Sequence, residues 1–294
     1  MPFRFKKSES PAKAVRRVTR ERIGVARERL RHGGHSAAIH DVRREIKKLR
    51  AVLRLARNGG GQGKYRKSVK ALREAAGYLA APRDARVMLK AFEKLAGRDA
   101  RQFSEIENVL RRHCRRETRR FQKKDSIAIA DKILRKMSRR VRGLKIHASG
   151  WPAVEPGLRK SYELGREACE LVHEKPLPKN FHDWRKHVKD LWHYFCLLYP
   201  AWPAAARAYT DELELLGGQL GEDHDLFLLQ QFAVGHCAGL AGEVKALNRM
   251  IESRQKELRA AALKLGSRLY AQTPAAVCRR LEHCWNRWRG EAEK

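Results

Sequence analysis

The chain has 294 residues, of which 43% are apolar, and carries 65 Lys and Arg against 33 Asp and Glu, a net charge of +32. That is apolar material enough for one large domain or two ordinary ones, but solubility alone does not call for so much positive charge, since acidic residues would serve it equally. Self-repulsion of this size is relieved by a polyanion, so nucleic acid, polyphosphate and an anionic membrane surface are the partner classes left, while no apolar run reaches spanning length and Met1–Ser10 has no signal-peptide core, which points to the cytoplasm.

Every long periodic segment has helical spacing and strand-like alternation is absent, which predicts an all-α protein. A first helix runs from about Ser10 to Leu30, opened by Ser10-Pro11 as N-cap and first helical residue. After a turn at His32–Ser36 a second helix covers Ile39 to Arg57, ending at the Gly-rich loop 58–63. A third covers about Lys64 to Leu79. Ala81-Pro82-Arg83-Asp84 breaks it, and Asp84 is read as the cap of a fourth helix reaching Leu95. A very basic helix follows, Arg101 to Lys124, then a shorter one to Leu144.

The stretch 147–157 is the Gly/Pro/Ser-rich connection near mid-chain, and the pattern restarts after it: a helix over about 158–172, then one opened by Asn180 as cap and closed by Tyr199–Pro203. Further helices are expected over 204–220, 225–237, 240–270 and 274–289, with a break at Leu220–Asp225.

The helix at 39–57 carries two seams. Ile39, Val42, Ile46, Leu49, Leu53 and Ala56 step by three and four residues and form an apolar packing face. His40, Arg43, Lys47, Arg50, Arg54 and Arg57 make the same steps one residue on, a cationic row turned by about 100° from the first. A row that close to the buried face borders a groove, whereas an ordinary solvated face lies opposite. Like charges about 5 Å apart along it repel, which suggests a polyanion between helices.

The pattern recurs 142 residues later. Phe181, Trp184, Val188, Leu191, Phe195 and Leu198 form the apolar face, and His182, Arg185 and Lys189 the second seam, so His-Asp-x-Arg-x-x-x-Lys-x-Leu stands once in each half. Leu220–Asp225 answers Leu79–Asp84 at an offset of 141. Two agreeing offsets predict an internal duplication: an N-terminal bundle over 1–146, a linker over 147–157 and a C-terminal bundle over 158–294, together one unit.

These residues resemble the CHAD family, the conserved histidine α-helical domain, over about residues 10–290. The resemblance rests on His40-Asp41-Val42-Arg43, Lys47-Lys48-Leu49-Arg50, Arg54 and Arg83-Asp84 in the first half. In the second half it rests on His182, Arg185, Lys189 and Leu191, with Leu220-Gly221 to Asp225 and His224 where many members carry Asn. It implies two helical bundles related by pseudo-two-fold symmetry around a central basic groove or channel that binds linear inorganic polyphosphate. Lys186 and His193 join the residues expected at that site. Trp192-His193 departs from the Arg-Tyr usual after the Leu, leaving the second seam shorter in charge. The Glu-x-Glu-x-Lys strand of the triphosphate-tunnel domain that precedes many members is absent, so the chain looks like a stand-alone member. On this reading it binds without catalysis, needs no cofactor, and associates with polyphosphate granules.

Other readings of the same residues are weaker. His40 and His182 as metal ligands would need three or four clustered partners, and their seam neighbours are cations. Phosphate contact ranks first for them and a structural role second. The His-Asp pairs at 40/41, 182/183 and 224/225 superficially match metal-dependent phosphohydrolases, but Asp41 and Asp183 suit the first turn of a helix. No nucleophile set or Gly-rich phosphate loop stands out, so no catalytic residue is assigned. Arg111 to Lys124 is either a solvated helix face or an extension of the anion groove. The charge alone would equally suit a nucleic-acid binder. Trp184, Trp192, Trp285 and Trp288 read as packing residues, and Cys114, Cys169, Cys196, Cys237, Cys278 and Cys284, with no Cys-x-x-Cys among them, as reduced thiols.

Overall fold

The computed structural model describes residues 3–32, 36–56, 62–143, 146 and 148–290. Among them there is no strand, and eleven α-helices follow in order. These are α1 (Pro11–His32), α2 (Ser36–Leu55), α3 (Gln62–Tyr78), α4 (Ala81–Ala96), α5 (Ser104–Gln122), α6 (Ser126–Arg142), α7 (Glu155–Glu174), α8 (Pro178–Leu198), α9 (Pro203–His236), α10 (Ala241–Leu269) and α11 (Pro274–Arg289). The turn expected at 32–36 and the loop at 58–63 lie largely outside the described residues, as does Arg57.

Local chemistry explains most of the boundaries. Ser10 Oγ accepts from Lys13 N–H at 3.4 Å in front of Pro11, as a capping serine should. Thr273 Oγ1 does the same for Ala276 N–H at 3.2 Å ahead of Pro274.

Three expectations are corrected. Asn180 does not open α8: the helix starts at Pro178 behind extended Leu177, and the Asn180 amide donates back to the Lys175 carbonyl at 2.8 Å. Proline at the first helical position, with its φ already set, outcompetes the later Asn. Asp84 does not cap α4, which begins at Ala81 with Pro82 in its first turn, leaving Asp84 as a first-turn acid. Leu220–Asp225 is no break at all, for α9 runs unbroken through 34 residues. The first half has Pro82 at the matching place and is interrupted there; the second has no proline, and Gly221 is carried inside the helix.

Helix order in space follows from the apolar faces. α1 pairs with α2 and α6, and α3 with α6; α7 pairs with α8, α8 with α9 and α9 with α10. The apolar face predicted for α2 is buried along its length, with Ile39, Val42, Ile46, Leu49 and Leu53 each at most 3% exposed. Fully burying one such side chain stabilises by about 1.5–3 kcal/mol. Phe181, Trp184, Val188, Leu191, Phe195 and Leu198 of α8 are buried in the same way.

The buried side chains gather in two clusters, and neither ends at 147–157. The larger runs through both halves, from α1, α2, α3 and α6 into α7, α8, α11 and the near ends of α9 and α10. The smaller lies between α4, α5, the C-terminal part of α9 and the start of α10, with Phe92, Phe103 and Leu229 at its centre. The mid-chain connection itself is anchored: Trp151, Ala153 and Val154 are buried, and Trp151 packs against Trp285 with ring centroids 6.0 Å apart. Gly157, in the first turn of α7, passes so close to the end of α2 that a Cβ there would stand 2.2 Å from the Leu55 carbonyl oxygen. Only glycine permits that approach, and through it α7 and then α8 are set beside α2.

The six cysteines are unpaired thiols. Burial pushes Cys169 and Cys196 up to about 11, which leaves them protonated and inert at neutral pH. Trp184 and Trp285 are core residues, 0% and 1% exposed.

Candidate functional site: a basic groove between α2 and α8

Because their apolar faces pack into one core, the second seams of α2 and α8 are turned toward the same crevice. Lys47, Arg50 and Arg54 come from α2, and Arg185, Lys186, Lys189, Asp190 and His193 from α8. Arg50, Arg54, Lys186 and Asp190 also belong to the adjoining cavity of about 500 Å³, whose further walls include Tyr65, Arg73, Lys160 and His187. Toward the other end stands Arg83 of α4, whose charge acts on His40, Arg43, Lys47, Arg185 and Asp225.

Each side chain has a distinct footing. Arg43 donates to the Ala76 carbonyl at the end of α3. Arg54 pairs with Asp190, Arg83 with Asp84 at 3.0 Å, and Lys186 with Asp183 at 2.7 Å. Lys47, Arg50, Arg185 and Lys189 form no ion pair with a carboxylate among the described residues, and Arg50 Nε and Arg185 Nε are buried without a hydrogen-bond partner. Lys189 lies along α9, where a Cβ at Gly217 would come within 2.7 Å of its Cε and Nζ. Arg185 crosses the same helix at Gly221, its Nε 3.4 Å from where that Cβ would be. Gly217 and Gly221, two of the four glycines inside α9, thus form the bed on which the α8 cations rest.

The electrostatics follow from this crowding. Lys47 is open to solvent on one side, yet the protein around it, and then Arg185, Arg83, Arg43 and Lys189, bring it down to about 7. Burial also lowers Lys189, with Arg185 adding to the effect. Arg43, Arg50 and Arg185 are lowered chiefly by burial and remain charged, as guanidinium does in proteins. Asp225 and Asp190 are pushed up by burial against the pull of Arg185 and of Arg54 respectively.

The histidines are not cations at neutral pH. His182 and His224 stack, with ring centroids 4.0 Å apart. Burial, then His182 and Arg185, bring His224 down to about 4, and burial lowers His182 as well. His182 Nδ1 is buried without a partner. His40 is exposed at the rim, lowered by partial burial and by Arg83. His193 is 6% exposed, packed edge-on to Phe3, and brought down to about 3 by burial; it forms the floor and adds no charge.

The structure therefore gathers Lys47, Arg50, Arg54, Arg185, Lys186, Lys189 and His193 in one groove, with Arg43, Arg83, His182 and His224 beyond one end. Sequence reasoning missed Asp190, which the seam steps from His182 through Lys186 do reach. It also missed Arg73, His187 and Gly217, the first and last of which stand on other helices and enter only through tertiary packing. The helix start expected at Asp225 offers no backbone donors to an anion, because inside α9 its N–H belongs to the helix ladder. Among the described residues, no group of three or more His, Cys, Asp or Glu is placed to hold a metal ion, and no helix is long and apolar enough to cross a membrane.

Two basic seams laid side by side define an all-helical protein with a crevice of cations between α2 and α8, and comparison with known proteins specifies its family. The CHAD domain family model matches residues 15–234, and the chain belongs to that family. The crystal structure of the CHAD domain from the plant Ricinus communis superposes with a TM-score of 0.60 at 14% identity, covering 96% of each chain. No curated protein matches the chain.

Proposed function

We propose that this protein binds linear inorganic polyphosphate in the groove between α2 and α8, as a binding module and not as an enzyme. One observation carries the reading: among the described residues Lys47, Arg50, Arg185 and Lys189 line the groove with no carboxylate paired to them, and the Nε–H donors of Arg50 and Arg185 are buried with no acceptor. A buried donor left unsatisfied costs about 1–3 kcal/mol, and close like charges add to that. A chain of phosphates relieves both at once. Arg forks bridge neighbouring phosphate oxygens, and Lys47 and Lys189 act as point charges. Neutral His182 donates or accepts one hydrogen bond at the margin.

Two bundles related by the internal duplication fit the same picture, with Arg43 and Lys47 of α2 answering Arg185 and Lys189 of α8 at the 142-residue offset, and the ligand running between them. The site's residues are cations, so a divalent ion would add to the repulsion, which favours binding over metal-dependent hydrolysis. A ligand of this kind places the protein in the cytoplasm near polyphosphate granules. The test is a competition at physiological salt, with labelled long-chain polyphosphate displaced by unlabelled polyphosphate, ATP, single-stranded RNA or duplex DNA. Polyphosphate should compete best per unit charge; ATP or nucleic acid emptying the labelled site as readily would refute the reading.

A further inference from the structure

We propose that the outer face of α5 is a second, separate polyanion surface that takes the phosphodiester backbone of duplex nucleic acid without reading its sequence. A shallow surface depression there, about 280 Å³, is lined only by Arg112, Arg115, Arg116, Arg119, Arg120 and Lys123. It shares no lining residue with the α2–α8 groove, so the inference does not rest on the polyphosphate reading.

All six side chains are exposed. Glu117 pairs with Arg116 at 3.6 Å and with Arg120 at 3.2 Å, while Arg112, Arg115, Arg119 and Lys123 have no carboxylate partner among the described residues. Arg112 to Lys123 spans roughly 16 Å of straight helix, a convex rod and not a cleft. A convex row matches phosphates displayed on the outside of a double helix.

The composition narrows the partner further. No aromatic ring lines the depression, whereas proteins that hold single strands provide stacking platforms. No Asn or Gln lines it either, so adenine edges go unread, and six like cations in a row neutralise phosphates whatever the base beside them. Arginine forks suit phosphate oxygens bidentately. What remains is backbone contact on a duplex, driven by counterion release and independent of sequence.

The experiment measures binding of a mixed-sequence DNA duplex by fluorescence anisotropy, for the parent protein and for Arg112→Ala, Arg115→Ala, Arg119→Ala together. Ala at exposed helical positions keeps the helix, a thermal melt checks the fold, and the corresponding Arg→Gln triple is measured beside it. Duplex affinity should fall about tenfold or more, and the log–log salt slope should shrink by about 2.7, at roughly 0.9 per lost phosphate contact. Polyphosphate affinity should stay within twofold, and duplex and polyphosphate should bind together. The groove variant Arg185→Glu, Lys189→Glu should keep its duplex binding. The proposal is overturned if both folded triples bind duplex as the parent does, if single-stranded DNA outcompetes duplex, or if polyphosphate displaces duplex from one shared site.

Discussion

The α2–α8 groove and the outer face of α5 are both rows of cations at helical spacing, and they differ in what surrounds them. On α5 the guanidinium groups stand in water, Arg120 with 64% of its side chain exposed, and solvent and salt screen their repulsion. In the groove the same spacing is set against a buried core, Lys47 is brought down to about 7, and Arg50 and Arg185 each hold a buried Nε–H without an acceptor. An exposed row costs the fold little and selects little. A half-buried row is a standing strain that a ligand relieves, and its narrow walls favour a thin, flexible chain over a duplex.

The largest expected effect comes from reversing the groove charges. Lys47→Glu, Arg185→Glu and Lys189→Glu together should abolish polyphosphate binding in an anisotropy titration, a loss of about a hundredfold or more, since removing close charge contacts costs several kcal/mol. The same change lowers like-charge repulsion, so the melting temperature should hold or rise. A folded triple variant that binds polyphosphate normally would assign the site elsewhere, with α5 the first alternative.

The next effect is on the frame. α5 packs chiefly beside its sequence neighbour α4, whereas α2 is held to α7 by the close pass at Gly157. Gly157→Ala puts a methyl group 2.2 Å from the Leu55 carbonyl oxygen, where neither backbone can give cheaply. Destabilisation of about 1–3 kcal/mol is expected, read as a melting-temperature drop of roughly 2–12 °C at about 2–4 °C per kcal/mol. An unchanged melting temperature would show that the α2–α7 contact is looser than the structure has it.

The two rows also explain what was legible in the sequence. A period of 3.6 reports which side of a helix is buried, so the apolar faces of α2 and α8 and the cationic seams beside them could be read directly, along with the all-α class. The α5 row was equally visible, but periodicity does not say whether a charged face meets another helix or water. That distinction depends on which elements pack together, as with Arg73 of α3 and Lys160 of α7 arriving beside Arg50. The unbroken course of α9 was hidden for another reason. Leu220-Gly221 reads as a break by analogy with the proline-bearing first half, and α9 carries Gly221 because glycine costs a helix only about 1 kcal/mol where proline costs about 3.

A smaller effect concerns pH. A bound polyanion favours protonated Lys47, so binding takes up a proton wherever Lys47 is neutral in the unliganded protein. With Lys47 at about 7, that window opens above pH 7, and affinity should fall as pH rises through it. One linked proton, with bound Lys47 back in the ordinary lysine range, gives a decrease of about fifteenfold between pH 7 and 8.5. The sign for stability is opposite in direction: the unfolded chain binds this proton more tightly, so the unliganded protein gains stability as pH rises from 7 toward the ordinary lysine range. Lys47→Arg, charged throughout, should flatten the affinity profile. The α5 face, five arginines and one solvent-exposed lysine, should bind duplex independently of pH over the same range.

The smallest expected effect separates affinity from stability at a single atom. Gly217 lies inside α9, where glycine costs about 0.5–1 kcal/mol relative to alanine. Its replacement by alanine should therefore stabilise the helix, except that the new methyl group would stand 2.7 Å from Cε and Nζ of Lys189. Those atoms are the flexible end of a long side chain, so Lys189 can swing away at little cost to the fold. It then leaves the position beside Arg185 from which, on the polyphosphate reading, it would meet a phosphate. Gly217→Ala should keep or raise the melting temperature while weakening polyphosphate binding by about threefold, the size of a partly lost charged contact. Duplex binding on α5 should not change. Should polyphosphate affinity hold as well, Lys189 reaches the ligand from its displaced position, and the glycine bed in α9 serves packing alone.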